Sequence, residues 1–164
     1  MDSDRNFYYL IKNGDLEGFK MAFHESNAPC EVKPYSQSLA QIAVLEGKID
    51  ILEFIKGQGC DLNVGDDEGW TPLHAAAFKN DLSAATALLA GGALVDAEDN
   101  YGNTPLSKAV FEFKDDPSVI SLLLRSGANP LHQNKSGVSP YEFAERTNKA
   151  EVVRIFHDAG FQLQ

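Results

Sequence analysis

The side chains that could take part in catalysis are few and far apart in this sequence. Four histidines occur, at positions 24, 74, 132 and 157, together with two cysteines, Cys30 and Cys60. Metal-dependent, nucleotide-dependent and nucleophilic catalysis need such groups in short fixed patterns, and the chain contains no CxxC, HExxH, glycine-rich phosphate loop or GxSxG sequence. The sequence therefore predicts a protein without enzyme activity, metal ion or cofactor.

Acidic residues are numerous but do not form an ion-binding pattern. The groups 66–68 and 98–99 lack the alternating aspartates and the distal glutamate of a calcium loop. The chain of 164 residues carries 24 Asp and Glu against 14 Lys and Arg, which gives a net charge of −10. This charge disfavours nucleic acid and anionic membranes as partners, because binding to phosphate needs positive charge. We expect a basic protein as the partner instead.

Glycine recurs along the chain with a nearly constant spacing. One series has intervals of 33, 35 and 33 residues and comprises Gly59, Gly92, Gly127 and Gly160. Two further series keep the same phase, Gly14, Gly47 and Asn80 at intervals of 33, and Gly69, Gly102 and Gly137 at 33 and 35. A period near 33 is typical of stacked repeats whose units cannot bury their apolar faces alone. We therefore expect a solenoid.

The two cysteines are expected to be free thiols. The first residues are polar, and the early apolar segment 7–11 is too short for the core of a signal peptide. We therefore expect the protein in the cytoplasm, where disulfides are rare. Cys60 follows a glycine of the first series, as Ala93 and Ala128 do, so it is expected to be a small buried residue.

Between the glycines the sequence predicts two helices joined by a turn. Thr71 can cap a helix that begins at Pro72, since a hydroxyl satisfies an unpaired amide and proline loses no hydrogen bond at this position. Asn80 interrupts the pattern, and a second helix ends near Gly92, which can adopt the left-handed conformation. The same reading predicts five helix pairs, at about 5–26, 38–58, 71–91, 104–126 and 139–159.

These segments carry a family resemblance. Residues 66–76, DDEGWTPLHAA, resemble the signature of the ankyrin repeat, and residues 99–109 and, more weakly, 137–144 are similar to it. The resemblance implies an all-α ankyrin-repeat solenoid of about five helix-turn-helix repeats, with short hairpin loops and degenerate capping repeats at both ends. It covers residues 1–164 as one domain, with repeats at about 5–34, 35–66, 67–99, 100–134 and 135–164.

The resemblance also separates residues of the framework from residues that are free to vary. In this family the histidine of the TPLH element joins neighbouring turns by hydrogen bonds, which implies a structural role for His74. The residues expected to be structural are Gly59, Thr71, Pro72, His74, Gly92, Thr104, Pro105, Gly127, Pro140 and Gly160.

Ankyrin proteins bind their partners through the hairpin tips and the exposed side of the first helices, which line a concave groove. Two interpretations of Trp70 and Tyr101 stay open, since each could contact a partner or lie over the neighbouring turn. The resemblance places the following residues at partner-binding positions: Tyr35, Leu45, Glu46, Asp67, Glu68, Trp70, Phe78, Lys79, Asn100, Tyr101, Asn103, Phe111, Glu112, Phe113 and Arg146. Aromatic and acidic residues dominate the centre, a composition typical of protein interfaces.

One repeat departs from the period. Segment 111–117 makes the interval from Gly102 to Gly127 two residues longer than that from Gly69 to Gly92. The insertion is either a tolerated loop or a functional element that moves two phenylalanines and three acids out of the stack. Asp116 and Pro117 are expected to restart the helix as cap and first residue.

We therefore hypothesise a protein-interaction module without catalytic activity. The leading hypothesis is a stoichiometric inhibitor, similar to an immunity protein or antitoxin, that captures a basic protein such as a toxin or effector and is itself a monomer. Small, stand-alone acidic ankyrin arrays resemble such inhibitors. The alternative is an adaptor, scaffold or regulatory subunit that joins two proteins through the groove and the insertion. A third hypothesis is an enzyme or metal protein built on the repeat scaffold.

Overall fold

Ten α-helices follow one another in pairs in the computed structural model, which describes residues 3–27 and 29–161. The first five helices are α1 (Ser3–Asn13), α2 (Leu16–Glu25), α3 (Leu39–Leu45), α4 (Ile49–Gly57) and α5 (Pro72–Phe78). The others are α6 (Leu82–Ala90), α7 (Pro105–Glu112), α8 (Ser118–Arg125), α9 (Pro140–Arg146) and α10 (Ala150–Asp158). No β-strand is formed in the described residues. The predicted all-α repeat fold is confirmed.

The first helix of each of the last four repeats begins at a hydroxyl cap. The capping side chains, each accepting a hydrogen bond from the amide three residues later, belong to Ser38, Thr71, Thr104 and Ser139. Proline follows the cap in three of the four, at Pro72, Pro105 and Pro140. Because these signals are local, they mark where each helix starts, while packing between the repeats stabilises helices this short.

The helices form two layers. The first helices, α1, α3, α5, α7 and α9, pack side by side, while α2, α4, α6 and α8 pack in the same way behind them. The core lies between the layers and is made of small residues in the middle, such as Ala75 and Ala76, and aromatic rings at the ends, where Phe7, Phe19 and Phe156 are buried. No helix of the described residues is long and apolar enough to cross a membrane.

Left-handed residues end the helices at regular positions. All ten glycine and asparagine positions of the three series have positive φ. Those of the first two series follow helices, whereas Gly69, Gly102 and Gly137 lie in the hairpins between repeats. At Gly92, for example, φ is 88°, and the amide of the next residue, Ala93, donates to the carbonyl of Leu88. This conformation is costly for residues with a side chain, which explains why glycine recurs there.

The insertion replaces the left-handed turn of its repeat. Phe113 has φ −54° at the position where Asn80 and Asn148 have φ 51° and 55°. Its ring and that of Phe111 are half-buried rather than moved out of the stack, and Phe111 packs on Phe143 with ring centres 4.3 Å apart. The interpretation in which both phenylalanines leave the stack is therefore wrong, because the next repeat offers an aromatic surface that covers them.

Helix α8 begins one residue later than expected. Pro117 is its N-cap and Ser118 its first residue. Asp116 still satisfies a free amide, since its carboxylate accepts from the Ser118 amide at 2.9 Å. The capping function was predicted correctly, but its position was shifted by one residue.

The connection between α2 and α3 differs from the other connections between helix pairs within residues 3–27 and 29–161. It contains two short 3₁₀ helices, Pro29–Glu31 and Pro34–Ser36, and brings Cys30 to the end of α4, where it forms a disulfide with Cys60 at a Cα–Cα distance of 5.3 Å. The expectation of free thiols is therefore wrong. Cys30 is exposed and Cys60 is only half-buried. Residues about one repeat length apart lie side by side in a stack, which is why a separation of 30 residues allows this bond.

Candidate protein-binding surface

The hairpin tips of the third, fourth and fifth repeats are joined into one continuous row. The Asn100 amide donates to the Glu68 carbonyl at 2.8 Å, and the Lys135 amide donates to the Tyr101 carbonyl at 2.9 Å. The Asn100 side-chain amide adds a bond of 2.8 Å to the Asp67 carbonyl. Since each tip is held by its neighbour, the side chains on the row are presented from a fixed backbone.

Glycine makes the close approach of the tips possible. A Cβ atom on Gly69 would lie 3.0 Å from the Asn100 amide nitrogen, and one on Gly102 would lie 3.0 Å from that of Lys135. A side chain at either position would push the neighbouring tip away and would be strained at the positive φ of these residues, so two of the glycines found by their spacing allow the tips to approach closely.

A buried carboxylate organises the central hairpin. The side chain of Asp99 accepts hydrogen bonds from the amides of Tyr101 and Asn103 at 2.8 and 2.9 Å and pairs with the Lys108 ammonium at 2.8 Å. Burial alone would raise the pKa of Asp99, but the Lys108 ammonium and the amides outweigh it and hold the pKa below its ordinary value. Asp99 is therefore ionised in the folded protein at neutral pH.

Asn103 belongs to this hairpin and not to the outer surface. It is only 7% exposed, and its side chain bonds to Asp99 and accepts from the Asn134 amide group at 2.8 Å. Among the expected partner-binding residues, Asn103 is thus the one whose side chain is buried within the structure.

His74 joins two repeats, as the family resemblance implies. Its Nδ1 accepts a hydrogen bond from the Thr71 amide at 3.1 Å, so the proton lies on Nε2, which donates to the Asn103 carbonyl at 2.9 Å. Burial lowers the pKa of His74, although the bond to the Asn103 carbonyl acts in the opposite direction. The imidazole is fully buried and neutral, and it is not available for catalysis.

Trp70 is half-buried, and its ring contacts three side chains. Its ring stacks on His74 with centres 6.5 Å apart, and it contacts Phe78 with centres 5.6 Å apart. The Lys108 ammonium lies 4.5 Å from the ring centre, a cation–π contact. Trp70 therefore supports the row, which fits the interpretation that it lies over its neighbours, and its exposed part still borders the surface.

The other expected residues differ in exposure. Tyr101 and Tyr35 are each 60% exposed, and Phe78 is 43% exposed. The exposed set also includes Asp67, Glu68, Lys79, Asn100, Glu112 and Arg146, whereas Leu45, Glu46, Phe111 and Phe113 are half-buried. Tyr101 follows Asn100, which is bonded to the carbonyls of Asp67 and Glu68, and Phe78 lines a cleft together with Glu112.

Tyr35 is exposed and packs on a residue of the first helix. It adopts a left-handed conformation with φ 54° and packs edge to face on Tyr8 at a centre distance of 5.0 Å. The Tyr8 ring is half-buried, packs against the core at the end of the stack and supports Tyr35.

Several acids of this surface have no internal partner. The salt bridges among the described residues use Glu17, Glu53, Glu98 and Asp99. Asp67, Glu68 and Glu112 form none within residues 3–27 and 29–161. Exposed charges of this kind contribute little to stability.

The stacked helix pairs and the rigid row of tips define a repeat protein that presents a surface for other proteins. A sequence profile described as "Ankyrin repeats (3 copies)" matches residues 39–134, more than half of the chain. The chain belongs to the ankyrin-repeat family. It is a protein-interaction module, and these repeats are non-catalytic.

Similar proteins include regulators of other proteins. The chain is 33% identical over 84 residues to the RelA-associated inhibitor of Mus musculus, covering 51% of this chain but only 10% of that protein. It is 29% identical over 114 residues to protein phosphatase 1 regulatory subunit 27 of Mus musculus, with 69% and 74% covered. A putative ankyrin repeat protein of Rickettsia bellii is 29% identical over 167 aligned positions, covering 88% of this chain and 48% of that protein.

Proposed function

We propose that the protein is a stoichiometric inhibitor that binds a basic protein through the surface formed by its hairpin tips and first helices. The proposal extends to an immunity-type role, in which the bound protein is a toxin or effector. The observation that carries it is the position of Tyr101, which is 60% exposed beside the unpaired Asp67 and Glu68 of the adjoining tip.

This combination fits a binding surface better than a structural one. An exposed aromatic ring on a rigid backbone loses little entropy when it binds, and tyrosine is enriched at energetic hot spots. The neighbouring acids attract a partner of opposite charge and speed association. Neither feature contributes to the core, because both groups point away from it.

The relatives add support of a coarser kind. Two of them are named as an inhibitor and as a regulatory subunit, so similar repeats occur in proteins that control other proteins. Because the chain spans about a tenth of the first of them, its name supports a regulatory role in general and not a particular target.

The adaptor alternative is less well supported. It assigns the segment 111–117 to a second partner, but Phe111 and Phe113 are covered by the fifth repeat. What the segment exposes is a set of charged residues, which lies beside the same surface and not on a separate one.

We keep the cytoplasmic location as part of the proposal. The bond between Cys30 and Cys60 is the feature that tests it, because disulfides persist mainly in oxidising compartments. Quantifying the oxidised fraction of the two cysteines in the source cells decides the point.

Affinity capture from the source cells at low and high salt, followed by titration of the captured protein's own activity, tests the function. We expect a basic partner that is retained at low salt, is lost at high salt, and is inactivated at a ratio of one to one. A partner that stays fully active in the complex, or one that binds together with a second protein, contradicts the inhibitor proposal.

A further inference from the structure

The insertion in the fourth repeat opens a cleft beside the third repeat. Segment 113–117 runs past the turn at Asn80, whose side-chain amide donates to the Asp116 carbonyl at 3.1 Å. The cleft has a volume of about 280 Å³ and is lined among others by Phe78, Glu112, Phe113, Lys114, Asp115 and Asp116. We call it the inner-turn cleft. It is smaller than most sites for small molecules, which measure roughly 300–1,000 Å³, and suits a single side chain.

At two other repeat boundaries a lysine of the following repeat bridges the turns. The Lys79 ammonium donates to the Leu45 carbonyl, between the second and third repeats. The Lys149 ammonium donates to the Phe113 carbonyl at 2.8 Å and lies 5.7 Å from the Phe113 ring centre, between the fourth and fifth repeats.

No lysine of the described residues forms such a bridge at the boundary between the third and fourth repeats. Glu112 stands 33 residues after Lys79, in the place of that lysine, and Lys114, which stands 35 residues before Lys149 in the place of the other, donates no hydrogen bond to the third repeat. The Phe78 carbonyl, equivalent to that of Leu45, accepts no hydrogen bond from the described residues. An acid and an unpaired carbonyl thus stand where the boundary between the second and third repeats has Lys79 bound to the Leu45 carbonyl.

The charges at the cleft favour a positively charged occupant. Glu112 and Asp115 form no salt bridge within the described part of the chain, and Asp116 is held ionised because hydrogen bonds from Ser118 lower its pKa. Lys79 is turned toward the second repeat by its bond to Leu45. Lys114 is exposed and has no hydrogen-bond partner among these residues, so it partly offsets the acids without filling the cleft.

We infer that the inner-turn cleft binds an arginine side chain of the partner. This inference rests on the proposed function. A planar guanidinium stacks on aromatic faces, here that of the exposed Phe78. Its five N–H groups match carboxylates and carbonyls such as Glu112 and the Phe78 carbonyl. Arginine is preferred over lysine because an ammonium cannot both stack flat and form paired hydrogen bonds.

Titration with N-acetyl-arginine amide, followed by NMR of the backbone amides, tests the inference directly. We expect saturable shifts at Phe78 and residues 112–116, and none with the neutral N-acetyl-citrulline amide. The double variant Glu112→Gln with Asp115→Asn should weaken binding of the probe at least tenfold, whereas Lys114→Gln should strengthen it. The matched control, Asp67→Asn with Glu68→Gln, removes the same charge from the hairpin row and should leave the probe's affinity unchanged.

Two results overturn the inference. One is that the citrulline probe shifts the same amides as the arginine probe, or that the control variant weakens binding of the arginine probe as much as the double variant does. The proposed function still stands in that case, because inhibition of the partner and its dependence on Tyr101 are measured separately. The other is a double variant that loses the probe but binds the captured basic partner with unchanged Kd, which shows that no arginine of the partner uses the cleft.

Discussion

The ammonium of Lys108 lies 4.5 Å from the centre of the Trp70 ring and joins the hairpin of the third repeat to α7, the first helix of the fourth. The same ammonium pairs with Asp99, whose side chain is fully buried while that of Lys108 is 12% exposed. One cation therefore holds an aromatic ring and a buried carboxylate at the centre of the candidate surface.

Replacement of Lys108 by methionine should destabilise the protein by about 2–4 kcal/mol, because it leaves the Asp99 carboxylate buried without its counter-ion. Urea unfolding measures the change in the free energy of unfolding. The matched control is Lys56→Met, which breaks the exposed pair with Glu53 and should cost less than about 1 kcal/mol. Equal losses in the two variants would show that Asp99 does not depend on Lys108.

Replacement of Trp70 by alanine should reduce stability by about 1–3 kcal/mol, because the ring is half-buried against His74 and Phe78. Thermal unfolding measures this loss. Tyr101→Ala, at a ring that is 60% exposed, should change stability by less than about 0.5 kcal/mol. If Trp70→Ala is as stable as the wild type, the ring serves only a partner.

The neutral His74 should make stability depend on pH. Its pKa is lowered below 6.5 in the folded protein, so the unfolded chain binds the proton more readily. Stability is therefore complete above about pH 6.5 and decreases as pH falls, with a slope of at most about 1.4 kcal/mol per pH unit from this group. Protonation of Asp99, whose pKa is lowered from 3.8, reduces stability only in more acid solution.

Urea unfolding at pH 7, 6 and 5 checks this dependence against His74→Gln. Glutamine occupies the equivalent position in the second repeat, where the Gln41 side chain donates to Asp66 at 2.7 Å. The variant should be less stable at pH 7 but should lose less stability between pH 7 and 5. Parallel curves for the two proteins would mean that His74 does not titrate in this window.

Reduction of the disulfide should cost about 3–4 kcal/mol, because the bond between Cys30 and Cys60 closes a loop of 30 residues in the unfolded chain. Unfolding with and without a dithiol reductant measures the difference. The double variant Cys30→Ser with Cys60→Ser should match the reduced protein and ignore the reductant. Equal stability of oxidised and reduced protein would contradict a structural role for the bond.

The helices could be predicted from the sequence because their signals are local. Thr71 and Pro72 favour the start of a helix through their own chemistry, and Gly92 favours its end through its backbone preference. The regular period then allows helices to be predicted in repeats whose local signals are weaker. The insertion was located by the same period, but its conformation was not, because the packing of Phe111 on Phe143 depends on a residue 32 positions away.

The repeat register indicates which residues lie at hairpin tips, but the contacts that hold these tips were not predicted. Lys108 stands 33 residues after Ala75, which lies on the buried side of α5. A charged residue at the equivalent position of α7 indicates that a buried counter-ion lies nearby. The disulfide left a similar signal, since two cysteines 30 residues apart lie in adjacent repeats of a stack with a 33-residue period. Both contacts join neighbouring repeats, so they become visible only when the repeats are aligned and stacked.

The change in the affinity for the captured partner on Tyr101→Ala tests the central claim most directly. Tyr9→Ala is the matched control, since Tyr9 is 54% exposed on the first helix of the terminal repeat and lies outside the expected surface. Titration calorimetry should show that Tyr101→Ala weakens binding by more than about 2 kcal/mol, roughly 30-fold in Kd, while Tyr9→Ala leaves it unchanged. Unchanged affinity in Tyr101→Ala, with a loss in Tyr9→Ala, would contradict the account and move the binding site to the end of the stack.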